Sequence, residues 1–239
     1  MGLFSHHFLG REFKTDLLIL VWGVVFLMDF KGFSVEWEGH ASMHVSDNGF
    51  TVAVDPFSKV DTDFTADIVL ITHSDAGHYD EEALESVMSD RTVFVCPESM
   101  EGLPFRDTEF LKEGEHIDIY SVEIEAVPMY NEHHTRGSGV GYRFVLDGTS
   151  FYVAGDTGLT DEMRSLEKRV DLAFLPIEGE YTMDVDDAVQ AAVRIKPQMV
   201  VPYHYGEPFF PGKGPEAKEF RAELTDRNIE CKILREEEK

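Results

Sequence analysis

Two kinds of apolar pattern run along this chain. Phe33-Ser34-Val35-Glu36-Trp37 interleaves apolar and polar residues with a period of two, as on a strand with one buried face. Ile68-Val69-Leu70-Ile71 is uninterrupted, as in a strand covered on both faces. Met43 to Val45 and Phe50 to Val54 form a hairpin about Asp47-Asn48-Gly49, and Tyr142 to Leu146 and Ser150 to Ala154 another about Asp147-Gly148. Further strands are expected at 92–96, 116–120, 122–126, 170–177, 199–206 and 229–234. Helical composition covers 82–89, 161–168, 185–195 and 216–227, with Asp184 placed to cap the third of these.

The residues at the strand ends change the picture. The Ile68 to Ile71 run stops in Thr72-His73-Ser74-Asp75-Ala76-Gly77-His78-Tyr79-Asp80, where His73, Asp75 and His78 can turn toward one point. Imidazole and carboxylate groups are the usual nitrogen and oxygen ligands of zinc and related divalent metals. A competing reading makes the same stretch the N-cap region of the helix at 82–89, with Ser74, Asp75 or Asp80 as cap. The pattern of strand and then ligand-type residue recurs at Asp156 and His204, and His134 lies in a loop just before a strand. Strand ends of this kind converge at one sheet edge, and four coincidences favour the metal reading over the cap reading.

The loop around His134 reads His133-His134-Thr135-Arg136-Gly137-Ser138-Gly139-Val140-Gly141. Its glycines allow sharp bends or close backbone approach, and the lysine of a phosphate-binding loop is missing. His40, in the small-residue turn Gly39-His40-Ala41-Ser42, either faces this site or simply satisfies local turn hydrogen bonds. Cys96 and Cys231 both read as buried free thiols, so a metal site here must be built from histidines and carboxylates.

The 239 residues suit one domain with an ample core. There are 46 acidic and 21 basic residues, a formal net charge of −25, and the acidic ones are dispersed. No Lys and Arg cluster is present to meet phosphates, which argues against nucleic acid as a partner and for a small-molecule substrate. A dispersed acidic surface fits a halophilic protein in a salty cytoplasm, and an ordinary acidic protein equally. Residues 1–27 do not share the pattern of the rest of the chain. The apolar run 17–28 is short for a membrane span and lacks a cleavage site. It reads as an anchor, an interfacial segment or an upstream extension from a wrong start codon. The domain is therefore drawn at 28–239 and expected in the cytoplasm, with membrane association only if 17–28 anchors it.

Taken as a set, Gly39-His40-Ala41-Ser42, Asp55-Pro56-Phe57, Thr72 to Asp80, His134 to Tyr142, Ala154-Gly155-Asp156-Thr157, Thr182-Met183-Asp184 and Pro202-Tyr203-His204-Tyr205-Gly206 resemble the metallo-β-lactamase-fold superfamily. The resemblance is narrower to its ascorbate-6-phosphate lactonase-like and UPF0173-type hydrolases, and runs from Phe33 to Leu234. It implies an α/β fold, a four-layer αββα sandwich, with a dinuclear site that usually holds zinc or manganese. By that resemblance His73, the residue at 75 and His134 hold one ion. The residue at 77, His78 and His204 hold the other, and Asp156 bridges them.

The usual His-x-His-x-Asp-His is altered here: position 75 is Asp where the family has His, and position 77 is Gly where it has Asp. Asp75 remains a good ligand and biases the site toward oxygen-preferring metals. Gly77 removes a side chain that in the family binds the second ion and orients water. The expectation is a hydrolase with one or two divalent ions, Zn or Mn, using metal-activated water on an ester, lactone or phosphodiester. Its ligands would be His73, Asp75, His78, His134, Asp156 and His204, with Asp75 and Asp156 also catalytic. The alternative is a catalytically impaired member of the fold acting as a metal- or ligand-binding module. Tyr181, Tyr203, Phe209 and Phe210 are the aromatic residues available to line a pocket, though each can equally be packing.

Overall fold

The computed structural model describes residues 19–20, 23–24, 26–59, 63–102, 107–206 and 208–234. Strands β1 (Ile19–Leu20) and β2 (Gly23–Val24) pair with each other. The first large sheet has seven strands in chain order: β3 (Phe26–Phe30), β4 (Phe33–Gly39), β5 (Ser42–Asp47), β6 (Phe50–Val54), β7 (Ile68–Leu70), β8 (Val93–Pro97) and β9 (Thr108–Leu111). β3 to β6 form an antiparallel meander, and β6 to β9 are parallel. The β5–β6 turn places Asn48 and Gly49 at φ 48° and 82°, the paired positive values that a two-residue hairpin of this twist requires.

The second sheet repeats the scheme with β10 (His116–Ile119), β11 (Val122–Met129), β12 (Gly139–Leu146), β13 (Thr149–Val153), β14 (Leu172–Pro176), β15 (Met199–Tyr203) and β16 (Glu230–Cys231). β10 to β13 are antiparallel and β13 to β16 parallel.

Side-chain period decides the layering. Ile68, Leu70 and Val95 share one core cluster with Ile124, Ala126, Tyr142, Phe144 and Phe151 of the second sheet. Phe151 meets Phe30 and Phe33 edge-on across that interface, at ring separations of 6.3 and 5.3 Å. The alternate residues Val69, Ile71, Phe94 and Cys96 pack instead with Leu84 and Val87 of helix α1 (Glu81–Val87). Helix α2 (Val185–Ile195) contacts β14, and helix α3 (Pro215–Thr225) contacts α2 and β16. Helices thus cover the outer face of each sheet, giving the expected four-layer αββα sandwich. Full burial of a side chain as large as Phe151 stabilises by ~1.5–3 kcal/mol, so the facing apolar surfaces suffice to clamp the sheets together.

Several elements differ from expectation. Residues 161–168, expected as a helix, form only a 3-10 segment at Asp161–Leu166. The C-terminal strand pairs only at Glu230–Cys231, and Cys231 is half-buried where a buried thiol was expected; both cysteines are free. β9 and β3 were not anticipated as strands. β3 runs across the boundary drawn at residue 28, because Phe26 and Leu27 pair with Trp37 and Glu36. Most of the leading segment, residues 1–18 with 21, 22 and 25, lies outside the described residues. Among the described residues no helix is long and apolar enough to cross a membrane.

Candidate metal centre

The site forms where the parallel strands of both sheets end. Past β7 the backbone is fixed by Asp55, at the end of β6, whose carboxylate accepts from Thr72 N at 2.8 Å and Thr72 Oγ1 at 2.6 Å. The same carboxylate takes His78 Nδ1 at 2.8 Å, so one buried acid sets both the course of the loop and the direction of a histidine. The second sheet grips the loop through Val140 N donating to Thr72 O at 2.9 Å. Gly139 makes this approach possible, since a Cβ there would lie 2.8 Å from both His73 Cβ and Thr72 O. Asp80 is the N-cap of α1, accepting from Ala83 N at 3.2 Å and from Ser58 Oγ at 2.6 Å. The cap and metal readings of this stretch therefore apply to different residues.

Every side chain expected as a ligand comes to this place. Asp156 Oδ2 lies 3.3 Å from His78 Nε2, 3.3 Å from His204 Nε2 and 3.9 Å from His73 Nε2. Asp75 Oδ2 lies 3.3 Å from His134 Nε2 and 4.0 Å from His73 Nε2. Three groups offer donor atoms within 4.8 Å of one another: His73, Asp75 and His134; His73, His78 and Asp156; and His40, His78 and His204. His73 is 2% exposed and Asp75 is 64% exposed, so the centre has a buried floor and an open lip. His133 points elsewhere, its ring 5.1 Å from that of Tyr181.

The donor set fits a divalent cation. His73 Nε2, His134 Nδ1, both ring nitrogens of His204, His40 Nδ1 and Asp156 Oδ1 are buried with no hydrogen-bond partner. An unpaired buried polar atom costs ~1–3 kcal/mol, and a cation bound by the donor atoms that converge in these groups would compensate those among them. The histidines differ in charge state. Burial lowers the His73 pKa to about 2, with the nearby His78 adding to the effect, so its imidazole is neutral as a ligand must be. Burial also works against a charge on His78, yet Asp156 and Asp55 outweigh it and raise its pKa to about 10, so a cation at Nε2 would have to displace a proton from this ring. Burial likewise opposes ionisation of Asp156, but His204 and His78 hold its carboxyl well below the usual range.

Sequence reasoning missed two parts of this arrangement. Asp55 counted only toward a resemblance, although an acid directly after a buried strand is the same signal that marks Asp156. His40 was left between turn and site; its ring lies 4.6 Å from that of His204 and 5.2 Å from that of His78. Of the aromatic candidates, Phe209 and Phe210 pack on His40 at 5.2 and 5.4 Å. Tyr203 is buried in the core, its hydroxyl donating to Gly155 O at 3.0 Å.

Two stacked mixed sheets, outer helices and a histidine–aspartate cluster at the strand ends define the metallo-β-lactamase fold. Solved structures share it. A Parabacteroides distasonis protein described as a candidate metal-dependent hydrolase matches with a TM-score of 0.75 and 31% identity, over 93% of this chain and 98% of that one. The diiron β-hydroxylase CmlA of Streptomyces venezuelae matches in fold, with a TM-score of 0.71 and 19% identity, over 87% of this chain and 54% of its own. The model of the beta-lactamase superfamily domain matches residues 34–204. A UPF0173 metal-dependent hydrolase of Methanopyrus kandleri is 26% identical over 220 residues, covering 84% of this chain and 95% of that protein. One from Thermoplasma volcanium is 35% identical over 207 residues, covering 74% and 84%. The chain belongs to the metallo-β-lactamase superfamily and, within it, to the UPF0173 type.

Proposed function

We propose that this protein is a metal-dependent hydrolase acting on an ester, lactone or phosphodiester bond of a small molecule. The observation that supports it best is the convergence of histidine and aspartate donor atoms in three overlapping groups, several of those residues carrying buried atoms without a hydrogen-bond partner. His73, Asp75 and His134 would hold one divalent ion, Zn or Mn, and His78 and His204 a second, with Asp156 between them. Such ions supply an acidified water as nucleophile and neutralise the negative charge that develops on the substrate.

The chain's own residues do the rest. Asp55 orients His78 through Nδ1 and leaves Nε2 directed at the centre. Asp75, exposed at the lip and 3.3 Å from His134 Nε2, can take a proton from the reacting water side and pass it to solvent. A groove of about 240 Å³ lined by Asn131, His133, Thr182 and acidic neighbours lies on the far side of the His134 loop, and none of the proposed ligands lines it. The free thiols and the −25 charge are in keeping with a reducing, salty cytoplasm.

The experiment is hydrolysis of a panel of aryl esters, lactones and bis-aryl phosphodiesters by chelated protein reloaded with Zn or Mn, beside Asp156→Asn. Metal-restored turnover, lost in the variant by a factor of about a hundred or more, is expected from removing a charge placed at the reacting centre. A protein that binds metal but leaves every substrate intact would favour the binding-module reading.

A further inference from the structure

Gly77 leaves one half of the centre a side chain short, and the structure fills the gap from elsewhere. A Cβ built on Gly77 would lie 2.7 Å from His40 Cε1, 3.2 Å from Nδ1 and 3.3 Å from Nε2. The imidazole of His40 therefore occupies the volume that a side chain at 77 would enter. Its neighbours are the other two histidines of that half, and one donor atom from each of His40, His78 and His204 falls within a 4.8 Å cluster.

We propose that His40 is a metal ligand, completing with His78, His204 and Asp156 a second cation site in place of the carboxylate that Gly77 lacks. This rests on the metal-dependent reading above.

The ring is held for such a role. Phe57, Phe209 and Phe210 surround it at ring separations of 5.4, 5.2 and 5.4 Å, Phe210 stacked nearly parallel. The His40 carbonyl accepts from Trp37 Nε1 at 3.0 Å and from His204 N at 3.2 Å, which ties its backbone to that of another ligand. His40 and His204 both sit in the left-handed region, at φ 50° and 57°. Two non-glycine residues held there side by side indicate backbone constrained by its surroundings, as functional positions often are. His40 Nδ1 is buried without a hydrogen-bond partner, and the ring also meets the backbone of Gly77.

His40→Asn is the informative variant, because asparagine tolerates positive φ and roughly keeps the shape while removing the imidazole. His40→Gln is the second variant should the first fail to fold. Metal per chain is read by elemental mass spectrometry after reloading with Zn, together with the melting temperature of the metal-free proteins. About two ions are expected in the native chain and about one in His40→Asn. Affinity for the second ion should fall by about tenfold or more, with the metal-free melting temperature little changed. Native and variant proteins binding equal numbers of ions with equal affinity would overturn the assignment of His40 and leave the hydrolase reading intact. No metal in the native chain would overturn both.

Discussion

The two halves of the centre share Asp156 but are built from unlike materials. On one side stand His73, Asp75 and His134, with a carboxylate 64% exposed at the lip. On the other stand His40, His78 and His204, packed by phenylalanines and anchored through Asp55. The first half offers more oxygen and more access to solvent; the second offers nitrogen in an apolar setting. The resemblance to hydrolases of this fold implies the reverse allotment, histidine at 75 and a carboxylate at 77. Losing one ligand and changing another need not therefore degrade such a site, because a ring from a different loop can enter the space a missing side chain leaves.

The comparison can be broken from either side. The largest effect is expected from Asp55→Asn, which removes the buried acid beneath His78 while leaving every ligand in place. Metal affinity of the nitrogen-rich half should fall by roughly 10–100-fold, and unfolding free energy by about 1–3 kcal/mol, read by metal titration and chemical denaturation. Equal weakening of both ions would show that the halves are not separable. A smaller effect is expected from Asp75→Asn. Its exposure should keep the stability change within about 0.5 kcal/mol, while the affinity of the exposed half for Mn relative to Zn falls in competition binding. An unchanged metal preference would remove Asp75 from the ligand set.

Much of this was legible in the chain because strand ends are marked twice, by the stop of an apolar run and by the ligand-type residue just past it. His73, Asp156 and His204 all carry that double mark. His40 does not, since Gly39-His40-Ala41-Ser42 reads as a turn, and its role depends on the void at Gly77, a fact of space and not of order. Asp55 carries the double mark, directly after β6, but its role as an anchor does not show in the sequence. Its partners Thr72 and His78 are 17 and 23 residues away, and no local pattern links them.

His44 shows the converse hazard. Like His78, it lies between two carboxylates, Glu36 at 3.5 Å and Glu38 at 2.5 Å. Burial opposes its charge, and the two acids raise its pKa to about 9. It is absent from every group of clustered donors among the described residues. Its contacts are the two carboxylates and the ring of Phe64, which mark a structural histidine. Pairing with acids does not separate a ligand from a structural histidine; convergence of several free nitrogens does. The short strand β9 escaped because Thr108-Glu109-Phe110-Leu111 has too little period to read and is ordered by pairing with β8.

The most direct test of two unlike half-sites about one carboxylate is anomalous diffraction from crystals grown with Zn and Mn, recorded at both absorption edges. The account predicts two peaks beside the Asp156 carboxylate, with the share of Mn relative to Zn higher on the side of Asp75 than on the side of His40, His78 and His204. Peaks away from Asp156, or none within the cluster, would contradict it.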